Sequence, residues 1–183
     1  MIFRRRFAGE TDAMLVSLVA KGNESAFREV MGLHQEAIYG FAFRFLKDAQ
    51  EAEDIAQEVF LRLYQTAADY KPRASLRTYL FWIAKNLCID SLRKKRPDTM
   101  DELPENIDTR TAFEQLSNAE SLQRLLEAVS NLPGNQRAAI LLRHEQGMHY
   151  QEIADALSIT VSAVESLLVR ARRTLRDRLH DLR

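Results

Sequence analysis

Cysteine is almost missing from this chain. Among 183 residues only Cys88 occurs, so no disulfide can close within it. Its apolar neighbours mark it as a buried structural thiol rather than a reactive one. Glycine (6) and proline (4) are also scarce, as expected of an all-helical protein. No apolar run approaches the length needed to span a membrane. Arg4-Arg5-Arg6-Phe7 weakly resembles a twin-arginine signal, but Glu10, Asp12 and Lys21 interrupt what would have to be its apolar core. The expectation is a cytoplasmic protein with no membrane insertion. Chemistry-bearing constellations are missing as well. There is no paired acid–base site, nucleophile arrangement, phosphate-binding glycine loop or metal cluster, and His34, His144, His149 and His180 are scattered and read as structural. Neither an enzyme nor a bound cofactor or metal is expected.

Net charge is missing too, at a formal +0, which at first argues against a nucleic-acid partner. The average hides segregation. From Lys71 to Arg96 the charges are Lys71, Arg73, Arg77, Lys85, Arg93, Lys94, Lys95 and Arg96, with Asp90 the exception. From Asp98 to Glu120 seven acids face one cation, Arg110, and from Arg170 onward the chain is basic again. Two basic blocks separated by an acidic one point to two separate anionic contacts.

Helical periodicity runs from about Asp12 to Leu46, with Phe27, Val30, Met31, Ile38, Phe41, Ala42 and Phe45 in one stripe. Tyr39, Phe41, Phe43 and Phe45 also alternate, as in a strand, but the longer pattern favours helix. Further helices are expected over roughly Ala49 to Ala68 and Leu76 to Arg93. Residues 97–118, with Pro97, Pro104 and dense acid, read as a linker. Helix resumes near Ala119, broken at Leu132-Pro-Gly-Asn135 and Gln146-Gly-Met148. The fold class is therefore all-α: two small helical domains, residues 10–96 and 119–183, joined by an acidic linker.

The second domain carries the most specific signal. Tyr150 to Arg173 reads as a helix-turn-helix, with Ile153, Leu157, Ile159, Val164 and Leu167 apolar along the shared seam and Ala154 small at the crossing. Thr160 and Ser162 can each cap a helix, and Ser162 with Glu165 matches a capping box. Ser158 stands where such turns usually carry glycine. In this motif the second helix enters the DNA major groove. Thr160, Ser162, Ala163, Ser166, Arg170 and Arg173 are the candidate groove contacts, and Arg143 a candidate phosphate clamp. Glu165 can cap its own helix or accept from a cytosine amine.

On the helix containing Asp54, Ala52, Ile55, Ala56, Val59, Phe60 and Leu63 share a core face. Asp54, Gln57, Glu58 and Leu61 lie opposite. That face reads as a solvated surface with a stray leucine, as a docking surface with an apolar anchor and polar rim, or, least favoured, as a carboxylate metal site that no histidine joins. On the next helix Tyr79, Trp82, Asn86 and Arg93 share a side, with Lys85 beside them and Tyr70, Lys71 and Arg73 in the preceding loop. Aromatic rings beside cations suit unstacked single-stranded bases, and the loop suits an extruded base. Core aromatics and a solvated helix end are the plain alternatives.

These residues together resemble the extracytoplasmic-function (group IV) sigma factors of bacterial RNA polymerase, over nearly the whole chain. Asp54-Ile-Ala-Gln-Glu-Val-Phe-Leu-Arg62 is similar to the segment that docks on core polymerase. Thr78 to Asn86, with Asp90 and Arg93, is similar to the segment that recognises and melts the −10 element. Leu132-Pro-Gly-Asn-Gln-Arg137, Leu142-Arg143, Tyr150 to Ala154 and Val164 to Arg172 match the −35-binding domain. The resemblance implies a promoter-specificity subunit that binds core RNA polymerase (the β′ clamp helices and β) and promoter DNA, both duplex and melted. It also implies an anti-sigma factor as regulator. Residues 10–96 then correspond to sigma region 2 and residues 119–183 to region 4, with the acidic linker in place of the middle domain of housekeeping relatives. Glu165 and Leu167 depart from the pattern, since many relatives carry basic residues there. A stand-alone helix-turn-helix regulator would leave the Asp54 face and the basic-aromatic block without a use. A sigma mimic that sequesters an anti-sigma factor would have no need of the basic surfaces.

Overall fold

A computed structural model describes residues 12–71, 74–95 and 119–180. Arg73, the linker at 97–118 and the N-terminal arginines lie outside the described residues. Among those described the fold is all-α, and no strand occurs.

The first helical group begins with α1 (Asp12–Ala20). Gly22, at φ 78, turns the chain in a left-handed conformation that costs glycine little. Helix α2 (Glu24–Leu46) then starts on Asn23, whose side chain accepts from the Ala26 N–H at 3.0 Å. It ends at Lys47 in the left-handed region, whose N–H donates to the Phe43 carbonyl at 2.7 Å. Asp48 repeats the capping device for α3 (Ala49–Thr66), accepting from the Glu51 N–H at 3.1 Å. Each such cap satisfies one of the donors that a helix start leaves unpaired. A single 3₁₀ turn, Ala67–Asp69, follows. Then comes α4 (Leu76–Lys95), where Ser75 Oγ accepts from the Thr78 N–H at 3.1 Å.

The second group contains α5 (Ala119–Ser130), α6 (Gly134–His144), α7 (Tyr150–Leu157) and α8 (Val161–His180). Pro133 precedes α6, a position where a missing N–H is of no consequence. Glu152 reaches back from α7 to accept the His149 N–H at 2.7 Å. The cap of α8 is Thr160, whose Oγ1 accepts from the Ala163 N–H at 3.2 Å. The expected Ser162–Glu165 box is corrected by this boundary. Helix α8 starts at Val161, so Ser162 already lies inside the helix with its side chain exposed.

Helix α2 is the hub, with α1, α3 and α4 packed around it. Its stripe is as expected: Val30, Ile38, Phe41, Ala42 and Phe45 are buried, while Phe27 and Met31 lie at the margin. Phe41 meets Phe81 of α4 edge to face, with centroids 5.5 Å apart. Each such buried side chain contributes on the order of 1.5–3 kcal/mol. The two groups are not held apart. Helix α4 lies against α7, and α2 against α5 and α6. One continuous cluster of buried apolar side chains runs from Leu15 in α1 to Leu175 in α8.

Candidate polymerase and nucleic-acid interfaces

Helix α3 buries Ala52, Ile55, Val59, Phe60 and Leu63 against the bundle, with Ala56 half-buried at the edge. Opposite, Asp54 and Gln57 are exposed and Leu61 is 48% exposed. Glu58 is half-buried and accepts from Arg62 Nε at 2.7 Å, an i,i+4 pair within the helix. Tyr64 extends this face. It is 49% exposed, stands three residues beyond Leu61, and packs edge-on against Phe27 of α2 at 5.4 Å. The spacing of Gln57, Leu61 and Tyr64 on one helix side was the signal for it.

Helix α4 carries an aromatic ladder. Tyr70 and Tyr79 lie 5.3 Å apart, and Tyr79 stacks on Trp82 at 5.8 Å and 13°. Tyr79 Oη is 3.0 Å from Thr66 Oγ1, and Tyr70 Oη donates to the Ala74 carbonyl at 3.3 Å. These bonds hold the rings as a platform. Lys71 and Arg93 are exposed and Asn86 half-buried. Lys85 differs from a free phosphate contact. It is buried, and its Nζ donates to Asn86 Oδ1 at 2.7 Å. Burial lowers its pKa, against the pull of Asp90. Leu80, Ile83 and Ala84 face the core, with Leu87 at its margin.

The second helical group sits on this platform. Trp82 Nε1 donates to Ser158 Oγ at 3.0 Å. Arg77 Nη2 donates to the Gln146 carbonyl at 2.6 Å and to its Oε1 at 3.1 Å. Beside them a polar cleft of about 290 Å³ is lined by Lys85, Asn86, Asp90, Arg93, Asn135 and Leu157, among others.

In the helix-turn-helix, Ile153, Leu157 and Val164 are buried as expected, whereas Leu167 is half-buried and Ile159 exposed. Ser158 takes the left-handed conformation, φ 57 and ψ 43, and the Ile159 N–H returns to the Ala154 carbonyl at 3.0 Å. This left-handed turn ends α7, and Ile159 just past it is 36% exposed. On α8, Ser162, Ser166 and Arg173 are exposed, and Ala163, Val169 and Arg170 half-buried. Arg173 Nε lies 4.0 Å from Asp177 Oδ2. Arg143 is turned inward: its Nη1 donates to the Met148 carbonyl at 2.9 Å and its guanidinium lies 5.3 Å from the Tyr150 ring centre. It braces the loop that enters α7. Cys88 is buried, which pushes its thiol pKa far up. Among the described residues no cluster of His, Cys, Asp and Glu is placed to hold a metal ion. No described helix is long and apolar enough to cross a membrane.

Residues 31–97 match the family Sigma-70 region 2, and residues 122–175 match Sigma-70, region 4. The chain is 31% identical to the ECF RNA polymerase sigma factor SigW of Bacillus subtilis, over 91% of this chain and 96% of that one. It is also 31% identical to the RNA polymerase sigma-H factor of Pseudomonas aeruginosa, over 94% and 96%. The chain belongs to the ECF RNA polymerase sigma factors.

A solved relative, CnrH in complex with the cytosolic domain of CnrY, superposes with a TM-score of 0.73 at 26% identity, over 94% of this chain and 99% of that one. The Bartonella quintana sigma factor RpoE, solved with the anti-sigma factor NepR, shares the fold, with a TM-score of 0.64 over 84% and 96% of the two chains at 24% identity. This sigma factor is thus an alternative promoter-specificity subunit that directs RNA polymerase in transcription initiation. The helices α2–α4 fall largely in the region 2 match and α5–α8 in the region 4 match.

Proposed function

We propose that the three surfaces divide the work of initiation. The α3 face, through Asp54, Gln57, Glu58 and Leu61 with Tyr64 added, docks on the β′ clamp helices of core polymerase. An exposed apolar side chain rimmed by acid and amide is the composition that supports this. The α4 platform, with Tyr70, Lys71, Tyr79, Trp82, Asn86 and Arg93, receives melted −10 bases, each base stacked on a ring being worth roughly 1–3 kcal/mol. The N-terminal part of α8 enters the −35 major groove through Ser162, Ala163, Ser166 and Arg170, while Arg173 takes phosphate. Arginine at base edges specifies sequence; at phosphates it supplies affinity that falls with salt.

The linker of about twenty residues at 97–118 spans the two elements. Fully extended it reaches roughly 65 Å, about two turns of duplex at ~34–36 Å each. The protein acts by binding and positioning rather than by catalysis, in the cytoplasm, under an anti-sigma factor.

The observation that supports this reading is the stacked Tyr79–Trp82 pair on the basic helix, with Trp82 left 38% exposed rather than taken into the core. Transcription reconstituted with core enzyme over a promoter library is the test. Wild type should select −10/−35 promoters, and Asp54→Lys with Glu58→Arg should lose core binding. Unimpaired core binding by that double variant would remove α3 as the docking face.

A further inference from the structure

We infer that Glu165 is a specificity-determining residue of α8: it accepts from the N4 amine of one cytosine in the −35 duplex and rejects the other bases there. This role rests on the reading of α8 as the helix that enters the −35 groove.

A helix cap and a base contact are the two roles open to this acid, and the structure removes the first. The cap of α8 is Thr160, which takes the Ala163 N–H. Ala163 also fills the third helical position, the one from which a side chain reaches back to the cap. Glu165, fifth in the helix, stands past the turn over which the helix dipole favours an acid. No cation neutralises it either. Its neighbours three and four residues away are Val161, Ser162, Leu168 and Val169. Among the described residues its carboxylate has no hydrogen bond or ion pair. Asp177 of the same helix shows the contrast, lying 4.0 Å from Arg173 four residues before it.

The side chain is exposed, as are Ser162 and Ser166 on the same side of α8. Residues in the N-terminal part of a recognition helix are those that meet base edges. An uncompensated carboxylate is repelled by the phosphates around it. It is therefore favoured on this face only by a base edge that supplies a proton. In the major groove cytosine presents its N4 amine as a donor, with no acceptor beside it. Guanine and thymine present acceptors, and adenine sets the N7 acceptor next to its amine. The carboxylate gains a hydrogen bond at cytosine, meets a lone pair at guanine or thymine, and meets both at adenine.

The test is transcription by holoenzyme, assembled from the full chain and core polymerase, over a library randomised through the −35 element. Wild type should prefer cytosine at one position by about tenfold over the other bases. Glu165→Ala should flatten that position alone. Glu165→Gln should move it to adenine, whose N6 and N7 match an amide. Both variants should keep the wild-type melting temperature, because an exposed side chain away from any cap or ion pair contributes little to stability.

A preference for any base other than cytosine at the position that Glu165→Ala flattens would overturn the cytosine assignment. An equal rise in affinity for every sequence in Glu165→Ala would reduce the residue to a repelling charge and overturn its part in readout. Arg170→Ala is the control for α8 itself. If it changes −35 selection while the Glu165 variants do not, Glu165 reads no base. If none of them changes it, α8 is not the reading helix and both assignments fall.

Discussion

Arg137 of α6 donates from Nη1 to the backbone carbonyl of Phe45, 2.6 Å away at the end of α2, and its guanidinium lies 4.9 Å from the centre of the Phe45 ring. Its Nη2 donates to the carbonyls of Leu132, at 2.9 Å, and Ser130. One buried cation thereby finishes the loop before α6 and ties the region 4 helices to the region 2 hub.

Arg137→Met keeps the bulk but strands those carbonyls, each unsatisfied group costing about 1–3 kcal/mol. Chemical denaturation should show a loss of about 3 kcal/mol or more. A change below about 1 kcal/mol would mean that water replaces the guanidinium without penalty.

Phe81 is fully buried and packs edge-on against Phe41. Phe81→Ala opens a cavity in the region 2 core and should cost about 3–5 kcal/mol, read as a lower denaturation midpoint. Leu61→Ala should leave stability within about 0.5 kcal/mol, since an exposed side chain has little to lose. Its effect belongs in core-polymerase affinity, which should fall by about tenfold, as for a hot-spot residue worth more than about 1 kcal/mol.

Acid should loosen the fold through His34. Burial holds its imidazole pKa below the ordinary 6.5, with Asp12 of α1 pulling it up and Arg77 of α4 pushing it down. Its Nε2 is buried without a hydrogen-bond partner among the described residues. Above 6.5 the ring is neutral in both folded and unfolded chains, and the stability it allows is fully present. As the pH falls below 6.5 only the unfolded chain takes up the proton, so stability declines until the folded value is reached. His144 is shifted the same way by burial beside Arg172 and Arg143. Denaturation midpoints between pH 7.5 and pH 5 should fall more steeply for wild type than for His34→Gln; equal slopes would contradict this assignment.

Much of this was legible in the sequence because helices write their buried stripe at a fixed spacing. Ala52, Ile55, Val59, Phe60 and Leu63 could be placed inward, and Asp54, Gln57 and Leu61 outward, from period alone. The closure of the two helical groups was not legible. Two of its acceptors are backbone carbonyls, of Phe45 and Gln146, and every residue carries one. Its one side-chain signature was Ser158 in a glycine position, visible as a departure but without its partner, 76 residues away. Burial of Lys85 escaped notice because a basic block reads as surface until something packs on it. The sequence could not show that Arg143, expected as a phosphate clamp, also serves the Met148 carbonyl through Nη1. Of the two hydroxyls that could cap α8, Thr160 is the one used, because the helix boundary decides between neighbours.

The core runs unbroken from Leu15 of α1 to Leu175 of α8, so unfolding wets apolar surface of both helical groups and carries a positive heat-capacity change. That apolar contribution weakens on cooling, while the polar ties that Arg137, Arg77 and Arg44 make between the groups persist.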